Sequence, residues 1–355
     1  MYKLDWWLFL PASFLSLLGL AVVLGAAPKE LGQQAIFLGV GVGLFFLIGR
    51  LDRSLLTQLA PVWYLLSLLL LAVTFVFGAV TRGSTRWLDL GVFRFQPSEL
   101  TKPFWALSFG WLASKYDRLA GKEFALLLFS FLPPFLLIFR QPDLGSALVL
   151  GSLWLGILVA GKVKLKLFLP FLIGILAGLP FFWHLLQPYQ QVRITTFLNP
   201  QADPLGASYN QVQATIAVGS GGFLGRGLGQ GSQAQLEFLP EHQTDFIFAT
   251  LAEEFGFVGS LGLLVLYTAL LLHLLHLARQ TEDATSRLSI IGIFTYLWFQ
   301  ATAHIGINVG VLPVTGITLP FVSVGGSSLI ASWVSLGVAQ ALTGSHKPRP
   351  VLNLG

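Results

Sequence analysis

Residues 6–27 read WWLFLPASFLSLLGLAVVLGAA, a stretch without a single charge. A helix needs roughly 20 apolar residues to cross about 30 Å of hydrocarbon. The stretch also exceeds the 7 to 15 apolar residues usual in a secretory leader, although the small residues Gly25, Ala26 and Ala27 close it. Nine further apolar runs follow, at residues 32–49, 57–80, 98–114, 124–139, 144–161, 165–186, 246–277, 288–310 and 319–342. The first run is therefore read as a retained span, and the chain as an all-α polytopic integral membrane protein of about ten transmembrane helices. Pro133 and Pro134 interrupt the fifth run, where a kink is expected. Residues 1–355 are read as one membrane domain.

Composition agrees with this reading. Of 355 residues, 54% are hydrophobic and 10% charged, against roughly a quarter charged in a soluble domain. The absence of cysteine removes disulfide frameworks and thiolate metal sites. The chain is basic, but its bases are scattered over short loops rather than gathered in one stripe, which argues against a nucleic-acid partner. Among the bases outside the spans, 13 fall on one side (Lys3, Arg50, Arg53, Lys115, Arg118, Lys122, Lys162, Lys164, Lys166, Arg279, Arg287, Lys347 and Arg349) and seven on the other. Positive charge marks cytoplasmic loops, so both termini are expected inside.

On that topology the outward segments carry mixed charges: Arg82, Arg86, Asp89, Arg94, Arg140, Asp143, Arg193, Arg226, Glu237, Glu241 and Asp245. Membrane anchoring does not call for such a mixture. The longest outward segment, residues 187–244, precedes the eighth span and is read as an ordered functional loop because apolar stretches at 211–218 and 236–239 favour burial. Glu99 and Lys102, in the first turns of the fourth span, share a helix face and can neutralise one another. Glu253 and Glu254 fall about two turns into the eighth span, where an ionisable group costs roughly 2.5 to 3.5 kcal/mol. An outward-opening polar cavity would account for both sets.

Several motifs have a structural and a chemical reading. Asp143 is placed to cap the sixth span, and Thr244 or Asp245 the eighth, where a carboxylate is favoured by the helix dipole. The glycine run at 219–231 reads as a flexible loop able to approach a pyrophosphate, but it lacks the spacing of a nucleotide-binding loop. His304, alone in the ninth span, reads as a packing group. No zinc-hydrolase or serine-nucleophile motif occurs.

RWL at 86–88, QPSELTK at 96–102, QPDLGS at 141–146, NP at 199–200, LPEHQTDFIF at 239–248, EE at 253–254 and PVTGITLPFVSVGGSS at 313–328 occur in order along the ten spans. In these motifs the chain resembles the SEDS family (shape, elongation, division and sporulation); in its short N-terminal segment and short C-terminal tail it resembles the rod-shape members more than the division members. The resemblance implies a peptidoglycan glycosyltransferase that polymerises lipid II into β-1,4 glycan strands for elongation and cell shape. It implies a class B penicillin-binding protein as partner, and a bacterial cytoplasmic (inner) membrane location with the active site facing outward among membrane lipid. Asp245 matches the family's essential aspartate.

Asp245 is accordingly the expected general base for the acceptor hydroxyl, and Arg193, Lys102 and Arg94 the expected contacts of the departing pyrophosphate. Trp87 is a candidate for stacking on a sugar. Gln96, Glu99, Asp143, Glu241, His242 and Ser323 complete the expected substrate-binding set. A divalent cation, magnesium or manganese, is compatible with this chemistry, with Asp143, Glu99 or Glu241 as ligands; no organic cofactor is called for. The competing readings are a lipid II flippase and a non-enzymatic scaffold for the penicillin-binding protein.

Overall fold

A computed structural model describes residues 3–81, 84–89, 91, 94–199, 206, 208–236 and 238–344. Arg82, Pro200, Glu237, Lys347 and Arg349 lie outside the described residues. The first run folds as α1 (Trp6–Ala26), started by the Asp5 carboxylate, which accepts from the amides of Trp7 at 3.0 Å and Leu8 at 3.3 Å. After a 3-10 turn come α2 (Leu31–Gly49), the short α3 (Arg53–Gln58) and α4 (Ala60–Phe77). The fourth run is split into α5 (Pro97–Leu100) and α6 (Lys102–Ser114). Next, α7 (Gly121–Arg140) continues through both prolines, and α8 (Leu144–Ala160) is capped by Asp143, which accepts from Ser146 N at 3.1 Å. Beyond α9 (Leu165–Leu185), the long outward segment folds into α10 (Pro188–Leu198), α11 (Tyr209–Ser220) and α12 (Ser232–Gln235). The chain then forms α13 (Ile247–Gln280), α14 (Ala284–Asn308) and α15 (Gly326–Thr343).

The molecule is inside-out relative to a soluble protein. Large apolar side chains such as Leu69, Ile173, Leu176 and Val265 are exposed, and α9 buries none of its residues. Polar side chains instead gather inside: Gln300, His304 and Asn308 of α14, one turn apart on a single stripe, are all buried. Among the described residues seven helices are long and apolar enough to cross a membrane, and α8 is a shorter apolar helix. Such an exterior, with backbone groups satisfied within helices, is that of an integral membrane protein.

Besides a break within α13 at Gly256, two of the expected spans depart from continuous helices. The fourth breaks at Thr101, and residues 309–325 of the last outward stretch are irregular, so α15 begins at Gly326 rather than at residue 319. The irregular segment is held by the α14 stripe: Gln300 Nε2 donates to Thr318 O at 3.0 Å, and His304 Nδ1 lies 2.8 Å from Ile317 O. His304 is thus a packing group, as its isolation in the sequence implies. The all-α expectation also needs an addition. Three short strands, β1 (Ala79–Thr81), β2 (Ser84–Asp89) and β3 (Arg94–Phe95), form a small antiparallel sheet, with Ala79 opposite Trp87 and Leu88 opposite Phe95. Outside hydrocarbon the chain is no longer compelled to be helical, and hairpin pairing satisfies the backbone equally well.

Candidate active site

Asp245 stands two residues before α13, in a turn whose backbone is fixed from both sides. Asn308 donates from Nδ2 to Asp245 O at 3.1 Å and accepts from Ala249 N at 2.9 Å. Ser323 donates from Oγ to Thr244 O at 2.8 Å, and Val324 N donates to Gln243 O at 3.0 Å. Ser323 is therefore part of the clamp on Asp245. The turn cannot shift without breaking bonds to both α14 and the 309–325 segment.

The Asp245 carboxylate faces Gly316, whose φ of +73° is a left-handed conformation that favours glycine. A methyl group on Gly316 would meet Asp245 Oδ2 at 3.8 Å, Arg86 Nη1 at 3.9 Å and Arg193 Nη1 at 4.0 Å. Three charged groups, from the α13 entrance, from β2 and from α10, thus ring one bare backbone position. Arg193 also reaches Val314 O at 3.5 Å and lies over the Tyr189 ring, 5.7 Å from its centroid. Burial pushes the Tyr189 phenol upward, against the pull of the nearby Arg193 and Arg86, so it remains a neutral donor to Pro142 O at 2.8 Å.

Asp143 lies beside this ring and is buried. Its carboxylate accepts from Gln96 Nε2 at 2.9 Å and Ser98 Oγ at 3.4 Å, and Arg86 Nη1 is 3.7 Å away. Arg86 therefore bridges from Asp143 to the Asp245 cluster, while its buried Nε has no hydrogen-bond partner. This arginine was not among the expected contacts. Its signal was the strand alternation of residues 84–89, which places neighbouring side chains on opposite faces.

The same alternation sends Trp87 to the face opposite Arg86. Arg94 sits on the exposed side of the hairpin, where Nε is 3.7 Å from Asp89 Oδ2, rather than at Gly316. Lys102 and Glu99 are both buried and satisfy one another at 2.6 Å, and Lys102 Nζ also donates to Gln300 Oε1 at 3.0 Å. They tie α5 and α6 to α14 instead of offering an open cation. His242 has both ring nitrogens against carbonyl oxygens, Leu239 O and Ala26 O, each at 3.1 Å. Glu241 accepts from Thr244 Oγ1 at 3.1 Å, inside the turn that presents Asp245.

Among the described residues no group of three or more His, Asp or Glu could hold a metal ion. Asp143, Glu99 and Glu241, the expected ligands, are each engaged by protein donors on different elements. Among the described residues these three carboxylates do not sit together as a preformed cation cage.

Two further expectations are corrected. The glycine run does not form a flexible anion loop: it repairs a break in α13. Gly256 has φ +65°, and on either side of it Arg226 N and Gly227 N donate to Glu253 O and Glu254 O at 2.9 and 3.0 Å. Phe257 N and Val258 N donate to Gly222 O and Phe223 O at 2.9 and 3.1 Å. A Cβ on Gly221 would lie 1.9 Å from Ala252 O, so close backbone approach explains the glycine there. Nor do Glu253 and Glu254 line an outward cavity. Glu253 accepts from Ser232 Oγ at 3.1 Å and Gln233 N at 3.2 Å, and Glu254 accepts from Gly229 N at 3.0 Å.

Fold and site together define a helical membrane protein with a carboxylate and two guanidiniums gathered over a fixed turn. The profile of the cell cycle protein family of FtsW, RodA and SpoVE matches residues 12–347, and the chain belongs to this family. It is 36% identical over 334 residues to the peptidoglycan glycosyltransferase MrdB of Escherichia coli strain K12, covering 93% of this chain and 88% of that relative. It is 37% identical over 315 residues to stage V sporulation protein E of Bacillus subtilis strain 168, covering 86% and 84%. Among solved structures it resembles a chain of a peptidoglycan synthase complex that coordinates polymerization and crosslinking, with TM-score 0.84, 36% identity and 97% and 98% coverage. It also resembles the rod shape determining protein RodA of Thermus thermophilus, with TM-score 0.74, 32% identity and 96% coverage of each chain.

Proposed function

We infer that this protein is a peptidoglycan glycosyltransferase that polymerises lipid II into β-1,4 glycan strands and works beside a class B penicillin-binding protein. The observation that carries the reading is the convergence of Asp245, Arg86 and Arg193 on Gly316. The distribution of lysine and arginine supports ten spans with both termini in the cytoplasm, which directs this site outward from the bacterial inner membrane.

The reaction joins the 4-hydroxyl of an acceptor GlcNAc to the anomeric carbon of a MurNAc whose leaving group is a lipid pyrophosphate. Asp245 takes the hydroxyl proton as the new C–O bond forms and the bond to the pyrophosphate oxygen breaks. Arg193 and Arg86 stabilise the negative charge that collects on the departing pyrophosphate. A single displacement inverts an α-linked donor to a β-linked product, so one base suffices. Asn308 and Ser323 keep the base from drifting, which serves orientation rather than proton transfer.

Purified Asp245→Asn, folded and combined with the partner, is expected to lose about 10² to 10⁴ in polymerisation rate. Normal polymer formation by this variant would overturn the assignment. Measuring translocation of labelled lipid II in the same vesicles separates polymerisation from flipping, and a scaffold would show neither activity.

A further inference from the structure

The residues that clamp the Asp245 turn are themselves held from α2, by a side chain that the chemistry above does not use. Gln34 stands in the first turn of α2 and is 2% exposed. Its Nε2 donates to Ser323 O at 3.0 Å, and its Oε1 accepts from Gly325 N at 3.3 Å. Between those two bonds, Ser323 Oγ donates to Thr244 O and Val324 N donates to Gln243 O. The stretch 323–325 is thus fastened to α2 through one set of groups and to the Asp245 turn through another.

Spanning the membrane does not call for this glutamine. The other buried residues of α2 are Gly41, Phe45 and Gly49, and an amide taken out of water costs free energy unless its polar ends are paired. Both ends of Gln34 are paired, and with matched polarity: the amide donor meets a carbonyl and the amide acceptor meets an N–H. An apolar residue makes neither bond, and an ionised glutamate would turn an acceptor on Ser323 O. The frame that carries Gln34 is close-packed. Gln34, Phe37, Gly41 and Phe45 share a face of α2 at helical spacing, and that face lies against α15. A Cβ on Gly326 would meet the Phe37 ring at 2.5 Å, one on Gly41 would meet Trp333 Cδ1 at 3.0 Å, and one on Gly337 would meet Phe45 Cα at 3.1 Å. Contacts this close fix α2 on α15, and with it the point from which Gln34 acts.

We propose that Gln34 is a positioning residue for glycosyl transfer, acting through residues 323–325 to hold the Asp245 carboxylate in its reacting orientation. The proposal rests on the reading of Asp245 as the general base. Asn308 fixes the turn at Asp245 itself, and Gln34, through Ser323 and Val324, fixes the two residues before it. The carboxylate is therefore anchored along the chain at successive points, which is what a base that must meet a hydroxyl at bonding distance requires. Because Gln34 acts at one remove, its loss should slow the chemical step while lipid II still binds.

The test replaces Gln34 by methionine, which keeps the length and removes both bonds, in the full chain with its transpeptidase partner reconstituted in liposomes. Initial polymerisation rates are measured against lipid II concentration and expressed per molecule able to bind labelled lipid II, so that misfolded protein does not count. The expected result is a kcat lowered about 10- to 100-fold with KM changed less than about twofold. An unchanged kcat, or a loss confined to KM, would overturn the proposal. Coupling gives a second readout. Ser323→Ala cuts the same path at its next link, so the double variant should be little slower than Ser323→Ala alone. Losses that multiply would mean two independent effects and no path from α2 to the base.

Gln34→Glu separates the bonds from the packing. Its carboxylate still accepts from Gly325 N but opposes Ser323 O, whereas the carboxylic acid can donate to Ser323 O as the amide does. Its rate relative to the unmodified protein should therefore recover as pH is lowered, and that of Gln34→Met should not. Gln34→Glu as slow as Gln34→Met at every pH would overturn the proposal. If Asp245→Asn polymerises at the normal rate, the base reading itself fails whatever Gln34 does. A fast Gln34→Met beside an inactive Asp245→Asn removes only the role of Gln34.

Discussion

Two clusters in which a carboxylate meets an arginine, one around Glu253 and one around Gly316, are built in opposite ways. In the knot around Glu253 the buried carboxylate is saturated by the chain itself: Ser232 Oγ, Gln233 N and Ser220 Oγ donate to it, and Arg226 Nε is 3.9 Å away. Around Gly316 the charged groups come from separate elements and meet across a bare backbone position. A buried charge enclosed by its own chain's donors does structural work. Charges that converge over a gap have an arrangement that a ligand's charge can complete.

The largest test of this contrast crosses the two clusters. Asp245→Asn should remove polymerisation, by about 10² to 10⁴, with little change in thermal stability. Glu253→Ala should do the reverse in kind: it leaves the donors Ser232 Oγ, Gln233 N and Ser220 Oγ without their buried acceptor, which is expected to cost about 1–3 kcal/mol of stability, seen as a lowered unfolding midpoint in detergent. Activity that survives at low temperature in Glu253→Ala, but not in Asp245→Asn, would establish the division. If Glu253→Ala melts normally, the knot is not the structural element described.

Arg86 sharpens the comparison from the other side, because it is the residue that joins Asp143 to the Gly316 ring. Arg86→Gln keeps hydrogen-bonding capacity but removes the charge. Loss of charge-assisted contacts worth roughly 1.5–3 kcal/mol would lower kcat/KM about 10- to 100-fold. Arg86→Lys should recover part of that loss, since lysine restores the charge without the planar fork. Equal activity of all three proteins would take Arg86 out of the site.

Gly316→Ala should have a smaller effect, and its two readouts should separate. At φ +73° a Cβ strains the backbone by about 1–2 kcal/mol, which sets the expected stability change. The same methyl would occupy the point ringed by Asp245, Arg86 and Arg193, so the activity loss should exceed what the destabilisation accounts for. Losses that simply track stability would mean that the space above Gly316 is not used.

How far the sequence reveals this contrast depends on the range of the interactions involved. Helices long enough to span a membrane are written locally, which is why α1, α4, α7, α9 and α14 fall close to their apolar runs. Asp245 and Arg193 were legible as outward charges. The break at Gly256 was not, because the partner that repairs it is a glycine loop some thirty residues earlier, and an uninterrupted apolar pattern conceals it. For Lys102 the neutralising partner Glu99, three residues away, was legible, but its second acceptor, Gln300, comes from α14 and was not. The glycine run looked like an anion loop for the same reason. Glycine permits close approach of backbone to phosphate and of backbone to backbone equally, and the sequence does not say which.

Arg94 gives the smallest expected effect and the strictest control. It sits one hairpin strand from Arg86 and was an equally good candidate by sign and side, yet its side chain is 60% exposed and faces Asp89 at 3.7 Å. An exposed pair of this kind contributes little because water screens it. Arg94→Ala is therefore expected to change stability by no more than about 0.5 kcal/mol and polymerisation by less than about twofold, measured beside Arg86→Gln at the same ionic strength. A loss as large as that of Arg86→Gln would mean that the hairpin closes over the substrate and brings Arg94 to the pyrophosphate, and the distinction drawn here between the two arginines would have to be reversed.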